Sequence, residues 1–148
     1  IEPVDIGDIA TQVSRVASPD HPVTVSGGEG MLVHADAAAL RQILEHLVGN
    51  AADASASGEP IDIAVSRHAD RVAIDVTDRG CGMSAAFIRD SLFKPFVSTK
   101  AGGFGIGAYE ARELASAMGG ALAVESREGE GTRMRILLCP ATGRAEAA

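Results

Sequence analysis

The 148-residue sequence has no tryptophan, one tyrosine and four phenylalanines, so aromatics make up 3% of it while hydrophobic residues make up 46%. Its core must therefore be built from Ala, Val, Ile and Leu, in a composition that is globular and not disordered. Cysteine is nearly as scarce. Cys81 and Cys139 lie far apart with no pair spacing, which argues against a zinc site or a disulfide framework and fits a reducing compartment. Basic residues number 13 against 20 acidic ones, a net charge of −7. Duplex DNA needs clustered Lys and Arg to neutralise its phosphates, so nucleic acid is not an expected partner, and an anionic ligand would have to be held locally. No apolar run approaches the roughly 20 residues that span a bilayer, and Ile1-Glu2-Pro3 has no signal-peptide form, so this stretch is not expected to contact a membrane directly. With no initiator Met, it reads as an excised fragment. There is no internal repeat and no Gly-Lys-Ser/Thr of Walker type.

What is present suits one compact domain over residues 1–140, followed by an Ala-rich frayed tail over 141–148. From a cap at Asp5, the residues Ile6, Ile9, Val13 and Val16 recur at helical spacing. Val23-Val25 and Leu32-Val33 predict two short strands joined as a hairpin through Gly27-Gly28-Glu29-Gly30. Asp36 caps the clearest helix, whose stripe is Leu40, Ile43, Leu44, Leu47, Val48 and Ala51. Ile61 to Val65 and Val72 to Val76 alternate as two antiparallel strands around His68-Ala69-Asp70. The glycine-broken stretch from Gly80 to Gly105 holds at most a short helix at Ser84 to Leu92. Beyond it come a helix through Ala108, Ala111, Leu114, Ala115 and Met118, ended by Gly119-Gly120, and two strands joined through Gly129-Glu130-Gly131. The expected architecture is α/β, a two-layer sandwich of one mixed, mainly antiparallel sheet with helices on one face.

Chemistry concentrates in three places. His46, Asn50 and Asp53 form a polar stripe on the capped helix, a pattern that taken alone is better described as a solvated flank. Asp78 ends a strand and leads into Arg79-Gly80-Cys81-Gly82-Met83. A carboxylate there can accept from an exocyclic amine, and the glycines let a flat ring approach, although Asp followed by glycines is also ordinary turn chemistry. Gly80, Gly82 and Ala85 satisfy G-x-G-x-x-A, but the hairpin before them contradicts the parallel crossover a dinucleotide site needs. Finally, Gly102-Gly103-Phe104-Gly105-Ile106-Gly107 precedes a helix, where free backbone N–H groups and the helix dipole suit a phosphate. Between the glycine segments lies Phe93-Lys94-Pro95-Phe96-Val97-Ser98-Thr99-Lys100. Its phenylalanines can anchor a flap while its lysines face phosphates, or simply tuck into the core from a surface loop.

In this order the segments resemble the ATP-binding catalytic domain of bacterial two-component sensor histidine kinases, within the superfamily shared by gyrase, heat-shock chaperones and MutL. His46-Leu47-Val48-Gly49-Asn50-Ala51-Ala52-Asp53-Ala54 is similar to the family's Asn-box helix, and Asp78-x-Gly80-x-Gly82-Met83 to its first glycine box. Phe93-Lys94-Pro95-Phe96 resembles its phenylalanine box, Gly103-x-Gly105-x-Gly107 its second glycine box, and Gly129-Glu130-Gly131-Thr132 with Leu138-Cys139-Pro140 its last hairpin. The stretch from Gly103 to Gly120 is similar to sensor kinases associated with exosortase systems. The resemblance covers nearly the whole chain and implies the Bergerat ATP-binding fold. It implies Mg²⁺ at Asn50, the adenine amino group at Asp78, and the ring against Gly82 and Met83, with Gly80 in the same box. Phosphates would meet the N–H groups of Gly103, Gly105 and Gly107 and the side chain of Lys100. Asp53, Phe93, Phe96, Ser98, Thr99, Phe104 and Ile106 complete the implied nucleotide site, and His46, Asn50 and Lys100 its catalytic set.

The same resemblance implies that ATP is the phosphodonor to a histidine on a separate dimerisation and phosphotransfer domain, and that a response-regulator receiver domain is the downstream partner. It further implies a homodimeric full-length protein, cytoplasmic or the cytoplasmic part of a membrane-anchored sensor. None of His21, His34, His46 and His68 is followed by the acidic residue of a phosphoacceptor helix, so the acceptor is expected upstream of Ile1. Three positions depart from the pattern. His46 stands where many kinases have Asn and where gyrase and MutL have the Glu that activates water; Asp53 replaces a basic residue; Phe104 replaces a small or polar one. These departures keep open a non-catalytic, nucleotide-gated interaction module and a MutL- or gyrase-like ATPase.

Overall fold

The computed structural model describes residues 1–15, 20–94 and 107–141. Period-two alternation places Ile61, Ile63 and Val65 on one face of β4 (Ile61–His68), and Val72, Ile74 and Val76 on the same face of β5 (Arg71–Asp78). The two pair antiparallel, Ile63 opposite Val76 and Val65 opposite Ile74. On the other side of β5 runs β7 (Gly131–Leu138), with Ile136 opposite Ile74 and Met134 opposite Val76, and β6 (Ala121–Arg127) forms that edge. The opposite edge is β2 (Val23–Ser26), parallel to β4, which gives the order β2-β4-β5-β7-β6. The far face of this sheet is polar: Asp75 accepts from Arg135 Nε at 2.7 Å and from its Nη2 at 2.9 Å, and Arg133 pairs with Glu125.

Three helices cover the apolar face. The longest, α2 (Ala37–Ala54), begins at Asp36, whose carboxylate accepts the Ala39 N–H at 3.1 Å and satisfies one of the donors a helix start leaves open. Its stripe of Leu40, Ile43, Leu44, Leu47, Val48 and Ala51 is buried throughout. Alongside it, α1 (Ile6–Arg15) contributes Ile6, Ile9, Ala10 and Val13, and α4 (Ala108–Ala117) contributes Ala108, Ala111 and Ala115. Asp5 caps α1 through the Asp8 N–H, at 3.2 Å. The region after β5 is short and irregular, an α-turn α3 (Ala85–Phe87) running into a π-turn at Ile88–Leu92.

The expected hairpin around Gly27 to Gly30 does not form. β2 belongs to the large sheet, whereas β3 (Leu32–Ala35) pairs antiparallel with β1 (Glu2–Asp5), a strand the sequence pattern did not reveal. The connecting turn is stitched to the start of α1: the Met31 N–H donates to Gly28 C=O and the Ile6 N–H donates to Met31 C=O, both at 3.0 Å. It thus carries the chain out of one sheet and into another. β3 also receives the end of the chain, since Ala141 N–H donates to Leu32 C=O and His34 N–H to Cys139 C=O, each at 2.9 Å. Ala141, read as the start of a frayed tail, is therefore buried and hydrogen-bonded; residues 142–148, the rest of that tail, lie outside the described residues, as does Val16. No helix among the described residues is long and apolar enough to cross a membrane.

Leu44 is fully buried in the middle of α2. Leu44→Ala is expected to cost about 2–5 kcal/mol in urea unfolding with the slope unchanged, the range for a buried Leu truncated to Ala.

Candidate functional site

The end of α2, the end of β5 and the start of β7 enclose a cleft of about 430 Å³. Helical periodicity decides what α2 gives it: Leu47, Asn50, Ala51, Asp53 and Ala54 line the cleft, apolar toward the core and polar toward the rim. From the sheet come Val76, Asp78, Thr132 and Met134, and from the irregular segment Cys81, Gly82, Met83, Ser84, Phe87 and Leu92. The interior is thus largely aliphatic and thioether surface with one carboxylate at the base and two polar side chains at the α2 wall.

Two close approaches of backbone hold these walls together. The Cys81 N–H donates to the Ala54 C=O at 3.0 Å, so the last turn of α2 is bonded to the loop that follows Asp78. Gly80 makes this contact possible, because a Cβ there would lie 2.3 Å from the Ala54 carbonyl oxygen. On its other side the loop meets the β6–β7 turn: Gly129 N–H donates to Cys81 C=O at 2.7 Å, and Met83 N–H donates to Ser126 Oγ at 2.8 Å. Gly82 allows that approach with a left-handed backbone (φ +72°), where a Cβ would fall 2.0 Å from the Arg127 carbonyl oxygen. Ser126 Oγ in turn donates to Gly131 C=O at 3.0 Å and lies 2.7 Å from Thr132 Oγ1.

Asp78 is 7% exposed, and its Oδ1 accepts the Gly80 N–H at 2.8 Å. Burial pushes its carboxyl above the usual 3.8, and the backbone amides of Gly80 and Thr132 pull partly the other way. A buried acceptor at the base of an apolar cleft matches a ligand that brings an N–H of its own. On the helix wall, Asn50 Nδ2 lies 3.0 Å from His46 Nε2.

The structure brings together Asn50, Asp53, Asp78, Gly82 and Met83 on the cleft wall; Gly80 lets the loop close on the end of α2, and His46 stands beside the wall in contact with Asn50. Phe93 is not on the wall. It packs against the core with the Arg112 guanidinium 4.5 Å from its ring centroid. Gly107 is the N-cap of α4, its N–H donating to Glu110 Oε1 at 2.9 Å, and it too is off the wall. Phe96, Ser98, Thr99, Lys100, Gly103, Phe104, Gly105 and Ile106 lie outside the described residues. Sequence reasoning missed Thr132, Leu47, Val76, Met134, Phe87 and Leu92 as wall residues. Thr132 carried a signal, as the residue after Gly129-Glu130-Gly131, but it meets Asp78 only through the pairing of β5 with β7. The dinucleotide reading fails as expected, since β5 is antiparallel to both of its neighbours.

Comparison with known proteins agrees with this arrangement. The sequence profile of the histidine kinase-, DNA gyrase B- and HSP90-like ATPases matches residues 35–142. Over 145 residues the chain is 31% identical to the C4-dicarboxylate transport sensor protein DctS of Rhodobacter capsulatus, covering 91% of this chain and 22% of that protein. It is 34% identical over 106 residues to the sensor histidine kinase ZraS of Escherichia coli K12, covering 72% of this chain and 23% of ZraS. The chain therefore spans less than a quarter of either relative. Among solved structures, full-length ShkA in complex with AMPPNP superposes with a TM-score of 0.75 at 28% identity, over 95% of this chain and 31% of that one. The catalytic domain of the histidine kinase ThkA shares the fold, with a TM-score of 0.79 at 23% identity over 94% of this chain and 96% of that one.

Two outcomes are expected in ligand-free protein. Gly80→Ala meets backbone on the α2 side and should cost about 1–3 kcal/mol in urea melts, the usual range for overpacking. Asp78→Asn should leave the fold at neutral pH at least as stable as wild type. A carboxyl raised in the native state contributes stability fully below 3.8, and that contribution is lost as pH rises through its native value. The wild type minus Asp78→Asn difference in stability, followed by melts from neutral to acidic pH, should therefore move in favour of the wild type as pH falls.

Proposed function

Because the chain belongs to the family of histidine kinase-, DNA gyrase B- and HSP90-like ATPases, we propose that its cleft binds Mg-ATP and presents the γ-phosphate to a histidine on a separate dimerisation and phosphotransfer domain. The observation that carries this reading is the buried Asp78 carboxylate at the base of an apolar cleft whose rim holds Asn50 and Asp53. Val76, Met83, Leu47 and Met134 suit the faces of a purine, and Asp78 suits its exocyclic amine. At about 430 Å³ the cleft falls within the range of nucleotide-sized sites.

The residues also fit a magnesium ion that arrives with the nucleotide. Among the described residues no three acidic, His or Cys side chains come together as a metal cage. Mg²⁺ is commonly held by one or two protein oxygens together with substrate phosphates, which is what Asn50 and Asp53 on one side of α2 can supply. When bound, the ion neutralises the charge that develops on the transferring phosphoryl group. Asn50 then fixes the triphosphate relative to the purine pocket, and positioning of this kind is most of what phosphoryl transfer requires. Lys100 and the N–H groups of Gly103, Gly105 and Gly107 are proposed to meet the phosphates. The partner histidine, a receiver domain that takes the phosphoryl group onward, a homodimeric full-length protein and a cytoplasmic setting belong to the same proposal. Steady hydrolysis of the MutL or gyrase kind is not favoured, because the carboxylate that activates water there is replaced by His46, whose Nε2 faces Asn50.

The test is incubation with γ-labelled ATP, with and without a dimerisation and histidine-phosphotransfer segment supplied in trans. Label should appear on the segment and not on this chain, and Asn50→Ala should reduce the transfer by about 100-fold, as for loss of a preorganised charge-stabilising contact. Equal labelling of this chain without the segment, or transfer indifferent to Asn50→Ala, would sink the proposal.

A further inference from the structure

His46 and Asn50 stand one helical turn apart on α2, so their side chains meet on the same face. Asn50 Nδ2 lies 3.0 Å from His46 Nε2. Only Asn50 of the two lines the cleft. The two ends of a carboxamide are opposite in character: the NH₂ group donates, and Oδ1 accepts a hydrogen bond or ligates a cation. With Nδ2 donating to it, His46 Nε2 is the unprotonated ring nitrogen, and the ring proton sits on Nδ1. The carboxamide is then fixed one way round, with Oδ1 as its remaining polar atom.

We propose that His46 is a positioning residue for metal binding: as the Nδ1-protonated tautomer it holds the Asn50 carboxamide so that Oδ1, and not the NH₂ group, is presented to a divalent cation bound with the nucleotide. The inference rests on the Mg-nucleotide reading above and adds the orienting partner. A hard cation is repelled by an N–H dipole and bound by an oxygen, so an unanchored carboxamide that can flip wastes part of its population on the wrong face. Outer-shell partners commonly fix metal ligands in this way. The role is distinct from that of a water-activating base at the same position. The Nε2 lone pair that would take a proton from water is engaged by Asn50.

The experiment is calorimetric titration of the full chain with AMPPNP, in Mg²⁺ and in EDTA, for wild type, His46→Ala, His46→Gln, Asn50→Ala and the double alanine variant. Wild type should bind more tightly in Mg²⁺ than in EDTA. His46→Ala should remove most of that gain, a weakening of about 10-fold in Mg²⁺ as is usual for an outer-shell partner, while affinity in EDTA stays near that of wild type. His46→Gln places an amide oxygen where Nε2 lies and should restore the gain. The double variant should be no weaker than Asn50→Ala alone, since both remove one interaction. ¹⁵N spectra of ligand-free protein supply an independent readout and should show the His46 proton on Nδ1. A His46→Ala protein that keeps the Mg²⁺ gain, a Gln variant that fails to restore it, or a ring proton on Nε2 overturns the positioning role while wild-type binding leaves the nucleotide reading standing. A wild type that does not bind AMPPNP overturns both.

Discussion

The bond from the Cys81 N–H to the Ala54 carbonyl, made across the bare backbone of Gly80, fixes the distance between the two polar walls of the cleft. Asn50 and Asp53 ride on a helix; Asp78 ends a strand. Nothing local relates them. Once the last turn of α2 is hydrogen-bonded to the loop that leaves β5, the helix can neither slide nor roll without breaking that backbone bond. The spacing between rim and base then becomes a property of the packed core. The second contact, in which Gly82 presses on the β6–β7 turn and Met83 is bonded to Ser126, braces the same loop from the other side. The loop is thus held between helix and sheet, with its glycines at the points where backbone meets backbone.

That rigidity supports a costly feature. Asp78 is a carboxylate at the base of an apolar cleft, and burial raises its pKa even though backbone amides oppose the shift. A buried acid of this kind is the pattern expected of a binding site in tension with stability. The apolar walls serve both ends. Val76, Leu47 and Met134 are core residues that back the pocket wall. Their order is guaranteed by the same hydrophobic packing that stabilises the domain.

The helix wall shows how a departure from a family pattern can be absorbed. His46 puts an imidazole where the resemblance to gyrase and MutL implies a carboxylate, and in this fold the imidazole lies against Asn50. The i, i+4 geometry of α2 places the two side chains within reach of each other. Phe93 illustrates the opposite case. Of the two roles its sequence context allows, a flap anchor or a residue tucked into the core, it packs against the core under Arg112, which ties the segment after the π-turn to α4.

The elements whose pattern is local can be read from residue order alone. The capped stripe of α2, the alternating pair β4 and β5, the α4 helix with its glycine stop and the final hairpin follow from periodicity and capping, and the order of Asn50, Asp78 and the glycine loops pointed to the ligand class. Tertiary structure decided the rest, because it depends on partners distant in the chain. β2 left its expected hairpin for the edge beside β4, since the turn after it is bonded to the start of α1; β1 is a strand through its pairing with β3, which the segment after β7 also joins. Thr132 joined Asp78 through the β5–β7 register, and Gly80 proved to be required by the end of α2 and not by its own turn. Periodicity states which face of an element is apolar. Only the packed structure states which apolar faces meet, and therefore where the backbone must come close enough to build a site.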